Sequence, residues 1–197
     1  MKTEALGKLI LVTGFFGGGK SSIAREVMDR VNDLTYLRTI TTRPPRQEEL
    51  DHGTDEYEFV SGREYYDQMS ASNKWDHTLF SNHSYGADVE LANKKLLAGH
   101  NLICCIAPDE DTITQMSELY LVKPIIIWID TPLEVANDRL IKSGNERRAA
   151  RPAHQLQNNF NAEKIKRLVQ IIFKPTQNLN DDGVAFTKIV RQLLNSL

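Results

Sequence analysis

Cysteine is nearly absent from this 197-residue chain: the only two, Cys104 and Cys105, are neighbours inside the apolar run "NLICCIA". Adjacent thiols in such a run build neither a disulfide framework nor a zinc-ligand spacing, so both are expected to be reduced core residues. The five histidines show no ligand spacing with the cysteines or with each other, so no resident metal centre of that kind is expected. A surplus of charge of one sign is missing too. With 24 Lys and Arg against 26 Asp and Glu, the formal net charge is -2, without the basic excess of a protein that tracks a nucleic-acid backbone. No stretch approaches the ~20 apolar residues of a membrane helix, and the opening "MKTEALGK" is too polar for a secretory signal. Nucleic acid and membrane therefore drop out as expected partners, and a cytoplasmic location is expected.

What is present suffices for one substantial core. The chain is 41% hydrophobic, and a prior of roughly 150 residues per domain allows one domain with a subdomain. The runs "KLILVT" (8–13), "NLICCIA" (101–107) and "PIIIWID" (124–130) are short, rich in β-branched residues and almost continuously apolar, as strands buried on both faces of a parallel sheet are. Helical spacing appears over 20–32, 87–98, 109–120, 132–142, 156–173 and 183–195, with Thr131 as the expected N-cap before Pro132. Strand alternating with helix predicts an α/β fold, a doubly wound parallel sheet with helices on both faces. Residues 36–86 break the alternation with short aromatic-rich strands, turn residues and a single helix expected at 62–72, which reads as an inserted subdomain. A second break, "KSGNERRAARP" (142–152), is polar and dense in arginine.

Glycine is concentrated where it has a use. "GFFGGGKS", Gly14 to Ser21, satisfies G-x-x-x-x-G-K-[ST] and lies after a strand and before a helix. Without side chains at Gly17, Gly18 and Gly19 the backbone curls around an anion, so that N–H groups and the helix N-terminus point at phosphate oxygens. In this pattern Lys20 reaches the β and γ phosphates, and the Ser21 hydroxyl ligates the Mg2+ that accompanies ATP. Gly14, Gly17, Gly18, Gly19, Lys20, Ser21 and Ser22 are thus expected to bind ATP. Phe15 and Phe16 add nothing to phosphate chemistry and are expected to pack under or beside the loop.

Such a loop does not separate an enzyme from a switch. In "TTRPPR", Pro44 and Pro45 stiffen the chain between Arg43 and Arg46 and hold two guanidiniums apart on an extended segment, an arrangement suited to a second phosphate. A solvated loop is the plain alternative.

Together "LILVTGFFGGGKSS", "TTRPPRQEELDHGTDEYEFVS", "SYG" and "LNDD" resemble, in order and spacing, the guanylate kinase family. The resemblance implies a P-loop NTPase-type core (1–35, 87–141 and 158–197), a small mixed α+β subdomain binding the nucleoside monophosphate (36–86) and a short lid (142–157). It implies Mg2+-assisted phosphoryl transfer from ATP to GMP or dGMP. By the same resemblance Arg43 and Arg46 hold the acceptor phosphate with Tyr57, Tyr85 and Thr39, while Asp76 falls on the family's base-reading glutamate. A carboxylate there suits guanine, whose edge offers two donors, N1–H and the exocyclic amine. Lys20, Arg43 and the lid arginines Arg147, Arg148 and Arg151 are the implied catalytic cations. Asn180 matches a position near the adenine, with a turn or helix cap as its plain alternative.

Departures from the family pattern cluster around acceptor choice. The family's Asp-x-Asp pair is Cys105 and Ala107 here, unless Asp109 or Asp111 reaches back, and the serine or threonine after Tyr-Gly is Ala87. Asp at 76 in place of Glu withdraws the carboxylate by about 1.5 Å, and the lid's usual opening arginine is Ser143. Two rivals follow: the same chemistry on another acceptor such as ribose 1,5-bisphosphate, and a guanylate-kinase-like binding module. Such modules typically lose the loop lysine, whereas Lys20 is present. The expected device is a pair of anion cradles, one of main-chain amides and one of guanidiniums.

Overall fold

Every residue of the run Leu9–Gly14 is buried, as a strand covered on both faces requires. This strand, β1, opens the computed structural model, which describes residues 6–71, 75–80, 82–142, 162–176 and 178–196. The elements that follow are α1 Lys20–Met28, β2 Leu34–Tyr36, β3 Thr39–Thr41, α2 Gln47–His52, β4 Tyr57–Phe59, α3 Gly62–Ala71, β5 Trp75–Phe80 and β6 His83–Asp88. The second half holds α4 Val89–Leu97, β7 Asn101–Cys105, α5 Glu110–Leu119, β8 Ile125–Ile129, α6 Leu133–Lys142, α7 Ala162–Lys166, β9 Ile171–Phe173 and α8 Leu179–Asn195. The fold is α/β, a parallel sheet flanked by helices together with a second, mixed sheet. Among the described residues no helix is long and apolar enough to cross a membrane.

The chain forms two compact units. The glycine-loop unit comprises Ile10–Leu34, Cys105–Asp111 and Ile125–Leu197. In it β1, β8 and β9 lie side by side and parallel, in register from Ile10↔Ile125 to Gly14↔Ile129 and from Ile127↔Ile171 to Ile129↔Phe173. Leu11, Val12, Ile127, Trp128, Ile129, Phe186 and Val190 are fully buried and form its core. The mixed-sheet unit comprises Met1–Leu9, Thr35–Cys104 and Thr112–Pro124. Its sheet runs β4-β3-β6-β5, with β3 parallel to β4 and antiparallel to β6, and β5 antiparallel to β6. Leu96, Leu102 and Ile103 are fully buried in this unit.

Several expected boundaries move, each for a local reason. The helix expected over 156–173 gives way at its end to β9; residues 156–161 lie outside the described residues. Gln170 starts that strand by exchanging bonds with Ile126, its amide to the Ile126 carbonyl at 3.0 Å and its Oε1 from the Ile126 amide at 2.6 Å. A run as short as Ile171–Phe173 fits helix or strand by periodicity, and this ladder decides. Helix α8 starts at Leu179, not 183, because Asn178 caps it by accepting the Asn180 and Asp181 amides. Gly183 then falls inside the helix, where a Cβ would meet Glu26 Cβ at 2.8 Å, so α1 and α8 approach closely there. Helix α1 ends at Met28, short of the expected 32. Strand β6 runs on to Asp88, whose side chain caps α4 from Leu91 N at 3.0 Å, so that helix begins at Val89 instead of 87. Where one helix was expected between 36 and 86 the described residues hold two: α2 starts where the Glu49 side chain accepts the Arg46 amide at 2.7 Å. Thr131, the expected cap of α6, is buried and its hydroxyl donates to the Gly18 carbonyl at 2.8 Å, while α6 begins at Leu133. Cys104 is buried and Cys105 half-buried, and neither is in a disulfide.

Candidate active site

In the glycine-loop unit β1 ends at Gly14, and the loop turns on positive φ angles at Gly14, Gly17 and Gly19. Gly17 has no alternative: φ is 78°, and a Cβ would come within 2.3 Å of the Ala136 carbonyl oxygen of α6. Gly19, at φ 89°, ends the loop as the N-cap of α1 and brings no side chain to that helix's first amides. A bare helix N-terminus next to a glycine turn presents N–H groups and a positive dipole end to an anion. The Gly18 amide does not join them, because it donates to the Phe15 carbonyl at 3.0 Å and tightens the turn. Lys20 Nζ donates to the Gly14 and Phe15 carbonyls at 2.8 and 3.0 Å and stands 5.2 Å from the Phe16 ring centroid. Ser21 is half-buried and Ser22 exposed in the first turn. Phe15 packs edge-on against Trp128 at 5.4 Å, the supporting role expected of it.

The end of β7 carries no carboxylate at Cys105 or Ala107. The Ala107 carbonyl accepts the Thr13 hydroxyl at 3.2 Å and the Asp109 amide at 2.9 Å, and Asp111 is exposed on α5. Arg139, unremarked in the sequence, brings Nη1 to 3.5 Å from the position of a Cβ on Gly19. Its place on α6, three residues after Ala136, is the only signal that would have found it, and only with the packing of α6 known. Asn180 lies in the first turn of α8. Its Oδ1 accepts Arg30 Nη2 at 3.1 Å, beyond the C-terminal end of α1, which begins at Lys20. The cap of α8 is Asn178. Arg147, Arg148, Arg151 and Ser143 lie outside the described residues.

In the mixed-sheet unit Arg43 is 7% exposed and committed to Glu49: Nη1 to Oε2 and Nη2 to Oε1, each at 2.8 Å. Its Nη1 also donates to the Pro44 carbonyl, its amide to Thr41 Oγ1, and its guanidinium lies 4.9 and 5.0 Å from the Tyr57 and Phe59 ring centroids. Arg43 therefore is not an open fork on a loop but half of a buried bidentate pair. Burial works against both charges, yet the mutual hydrogen bonds and attraction raise the guanidinium's pKa and hold the Glu49 carboxyl below its usual range. Glu49 also accepts the Arg46 amide at 2.7 Å, leaving Arg46 the more exposed of the two arginines. Tyr57 and Tyr85 meet edge to face at 6.4 Å, beside Arg43. Thr39 turns its hydroxyl to Cys104 Sγ at 3.9 Å, so the threonine that bonds Arg43 is Thr41. Glu49 was legible as an acid three residues after Arg46 at a helix start; Thr41 carried no signal.

Asp76 pairs with Ala87 across β5 and β6, two residues from Tyr85. Its Oδ1 accepts the Ala87 amide at 2.5 Å and its Oδ2 the Tyr120 hydroxyl at 2.6 Å. Burial pushes the Asp76 carboxyl above its ordinary range, and the two donors offset this in part. Burial and the neighbouring Asp76 charge push the Tyr120 phenol far up, which makes it the donor. Tyr120 had no signal in the sequence.

A family model described as guanylate kinase matches residues 6–172. The guanylate kinase of Chlorobium chlorochromatii is 29% identical over 151 residues, 76% of this chain and 77% of that one. That of Chlorobaculum tepidum is 34% identical over 97 residues, 49% of each. The solved guanylate kinase from Anaplasma phagocytophilum has a TM-score of 0.69 at 15% identity, covering 98% of this chain and 89% of that one, a likeness of fold. With the family model spanning most of its length, the chain belongs to the guanylate kinase family.

Proposed function

We propose that the protein is a nucleoside monophosphate kinase that moves the γ-phosphoryl group of ATP onto the phosphate of GMP or dGMP. One observation carries the choice of acceptor: on strand β6, Tyr85 stands with the cationic group Arg43 and Tyr57, and Ala87, two residues on, binds the enclosed carboxylate of Asp76. Two residues of strand span about 7 Å, so a cationic end and an acidic end are offered to one small ligand. A purine nucleotide with a phosphate at one end and a two-donor edge at the other has the matching chemistry.

The loop amides and the start of α1 bind the polyphosphate of ATP, and Lys20 leaves its carbonyl partners to follow the moving charge. Ser21 suits magnesium, being a hard oxygen donor in the first turn of α1, and would hold the ion, which when bound neutralises charge on the triphosphate. In the transfer, an acceptor phosphate oxygen forms the new P–O bond as the bond from the γ-phosphorus to the β,γ-bridging oxygen breaks, and ADP leaves. A phosphate oxygen is already a nucleophile, so this chain's residues position and neutralise charge. Arg46, Tyr57 and Tyr85 grip the acceptor phosphate, with Arg43 beneath them. Arg147, Arg148 and Arg151 complete the reading as lid cations over 142–157, and 36–86 is the acceptor subdomain. A coupled assay across GMP, dGMP, AMP, CMP, UMP, dTMP and ribose 1,5-bisphosphate tests it. GMP and dGMP are expected to lead; faster turnover of ribose 1,5-bisphosphate or of a pyrimidine nucleotide would overturn the acceptor.

A further inference from the structure

Asp76 is held from two sides, and one of the two groups that hold it belongs to none of the motifs in the sequence. Tyr120 follows the last residue of α5, is 5% exposed, and donates its hydroxyl to Asp76 Oδ2, while the Ala87 amide takes Oδ1. An ionised carboxylate offers about four lone-pair sites. Among the described residues one on each oxygen is occupied and one on each is left, so the acid retains two acceptors, one per oxygen. We propose that Tyr120 is a positioning residue for acceptor recognition: with the Ala87 amide it clamps the short acid at 76 so that its two remaining lone pairs are offered together to a base edge carrying two donors.

The inference rests on the reading of Asp76 as the base-reading group. It explains how an aspartate serves without the hydroxyl at 87 and the carboxylates at 105 and 107 that this chain lacks. A main-chain amide and a phenol, both fixed by the fold, take over the orienting. Adenine, cytosine and uracil place an acceptor beside a donor on that edge, and their acceptor meets a lone pair of the clamped carboxylate. The other titratable groups around the clamp are Cys104, kept as a neutral thiol by burial and by the Asp76 and Glu56 charges, His77, which favours the ionised Asp76, and Asp88, which acts on Tyr120. The Tyr120 hydroxyl bond is stronger to the ionised acid and favours that form. Without it Asp76 takes up a proton at higher pH and no longer accepts on both oxygens.

Tyr120→Phe removes the hydroxyl and retains the buried ring. In the full chain its KM for GMP is expected to rise roughly tenfold, with KM for ATP and kcat unchanged. The acidic limb of kcat/KM for GMP should move to higher pH, and preference for GMP over IMP, which lacks the exocyclic amine, should shrink. A purely structural role would leave the pH limb and the GMP/IMP ratio where they were, and that result overturns the proposal. Asp76→Glu supplies an independent test that does not depend on the folding of the Tyr120 variant. The clamp is spaced for aspartate, so the longer acid should lower kcat/KM for GMP, and adding Tyr120→Phe should cost less than it does alone. Improved GMP use by Asp76→Glu sinks the clamp. A wild-type enzyme that ignores GMP fails the function proposed above; one that prefers GMP, with Tyr120→Phe preferring it equally, fails this inference alone.

Discussion

In the function proposed above, the glycine loop and the acceptor sheet both offer positive charge to phosphate, the first with main-chain amides at the start of α1, the second with guanidiniums aimed by a carboxylate. An amide cradle depends on backbone angles, and those depend on glycine at Gly17 and Gly19. A guanidinium cradle depends on partners: Arg43 is buried because Glu49 neutralises it, and Arg46 is placed because the same Glu49 accepts its amide. The first is robust to changes in its surroundings and intolerant of a single methyl. The second tolerates local shape changes and fails when the one carboxylate its arginines share is lost. Within the acceptor unit the two carboxylates contrast again, since Glu49 is held below the usual range by its arginines and Asp76 is pushed above it by burial.

The sharpest way to break the comparison is Lys20→Ala, which takes the lysine charge from the amide cradle. Turnover should fall on the order of a thousandfold with an unchanged thermal midpoint; near wild-type rates would remove the loop from the mechanism. Next in size, Glu49→Ala leaves the Arg43 charge buried without its partner and should destabilise the protein by about 3 kcal/mol in urea unfolding, while raising KM for GMP far more than KM for ATP. The acid limb of wild-type stability carries the same information. Because its folded pKa is depressed, Glu49 stabilises fully above the ordinary glutamate pKa of about 4.3, and that contribution is lost as pH falls through its lower folded value. Asp76 has the opposite sign: its folded pKa is raised, so stability declines as pH rises between the ordinary aspartate pKa of about 3.9 and the folded one. Glu49→Gln should therefore flatten the acid limb, and an unaltered limb would assign it to other carboxylates. Gly17→Ala should cost roughly 2 kcal/mol of stability, from the left-handed φ and the contact with Ala136, read as a shifted denaturation midpoint. The smallest effect is expected of Arg139→Ala, a rise of about fivefold in KM for ATP with KM for GMP unmoved, and equal changes in both would deny Arg139 a place beside the loop.

Much of this was legible in the chain. The β1 run, the G-x-x-x-x-G-K-[ST] spacing and the helix after it announce a phosphate loop because glycine placement and apolar continuity are local properties. The candidate acceptor residues Arg43, Arg46, Tyr57, Asp76 and Tyr85 were legible as residue types in order, and all lie in the mixed-sheet unit. Their partners were not. Glu49 lies six residues from Arg43, but Tyr120 lies 44 residues from Asp76, and nothing in "SELYLVKP" marks that tyrosine as a donor to a carboxylate. The strand at Ile171–Phe173 was hidden for a related reason, since three apolar residues fit either period until Gln170 finds Ile126.

By itself, then, the sequence determined where the backbone curls and which side chains are available, because φ preference, apolar runs and residue chemistry are carried by each residue and its near neighbours. Only the tertiary structure decided that Arg43 is closed onto Glu49, that Asn180 meets Arg30, and that Asp76 is clamped by Ala87 and Tyr120. The direction and charge state of a side chain follow from partners distant in the chain and from burial, and neither exists until the fold has formed.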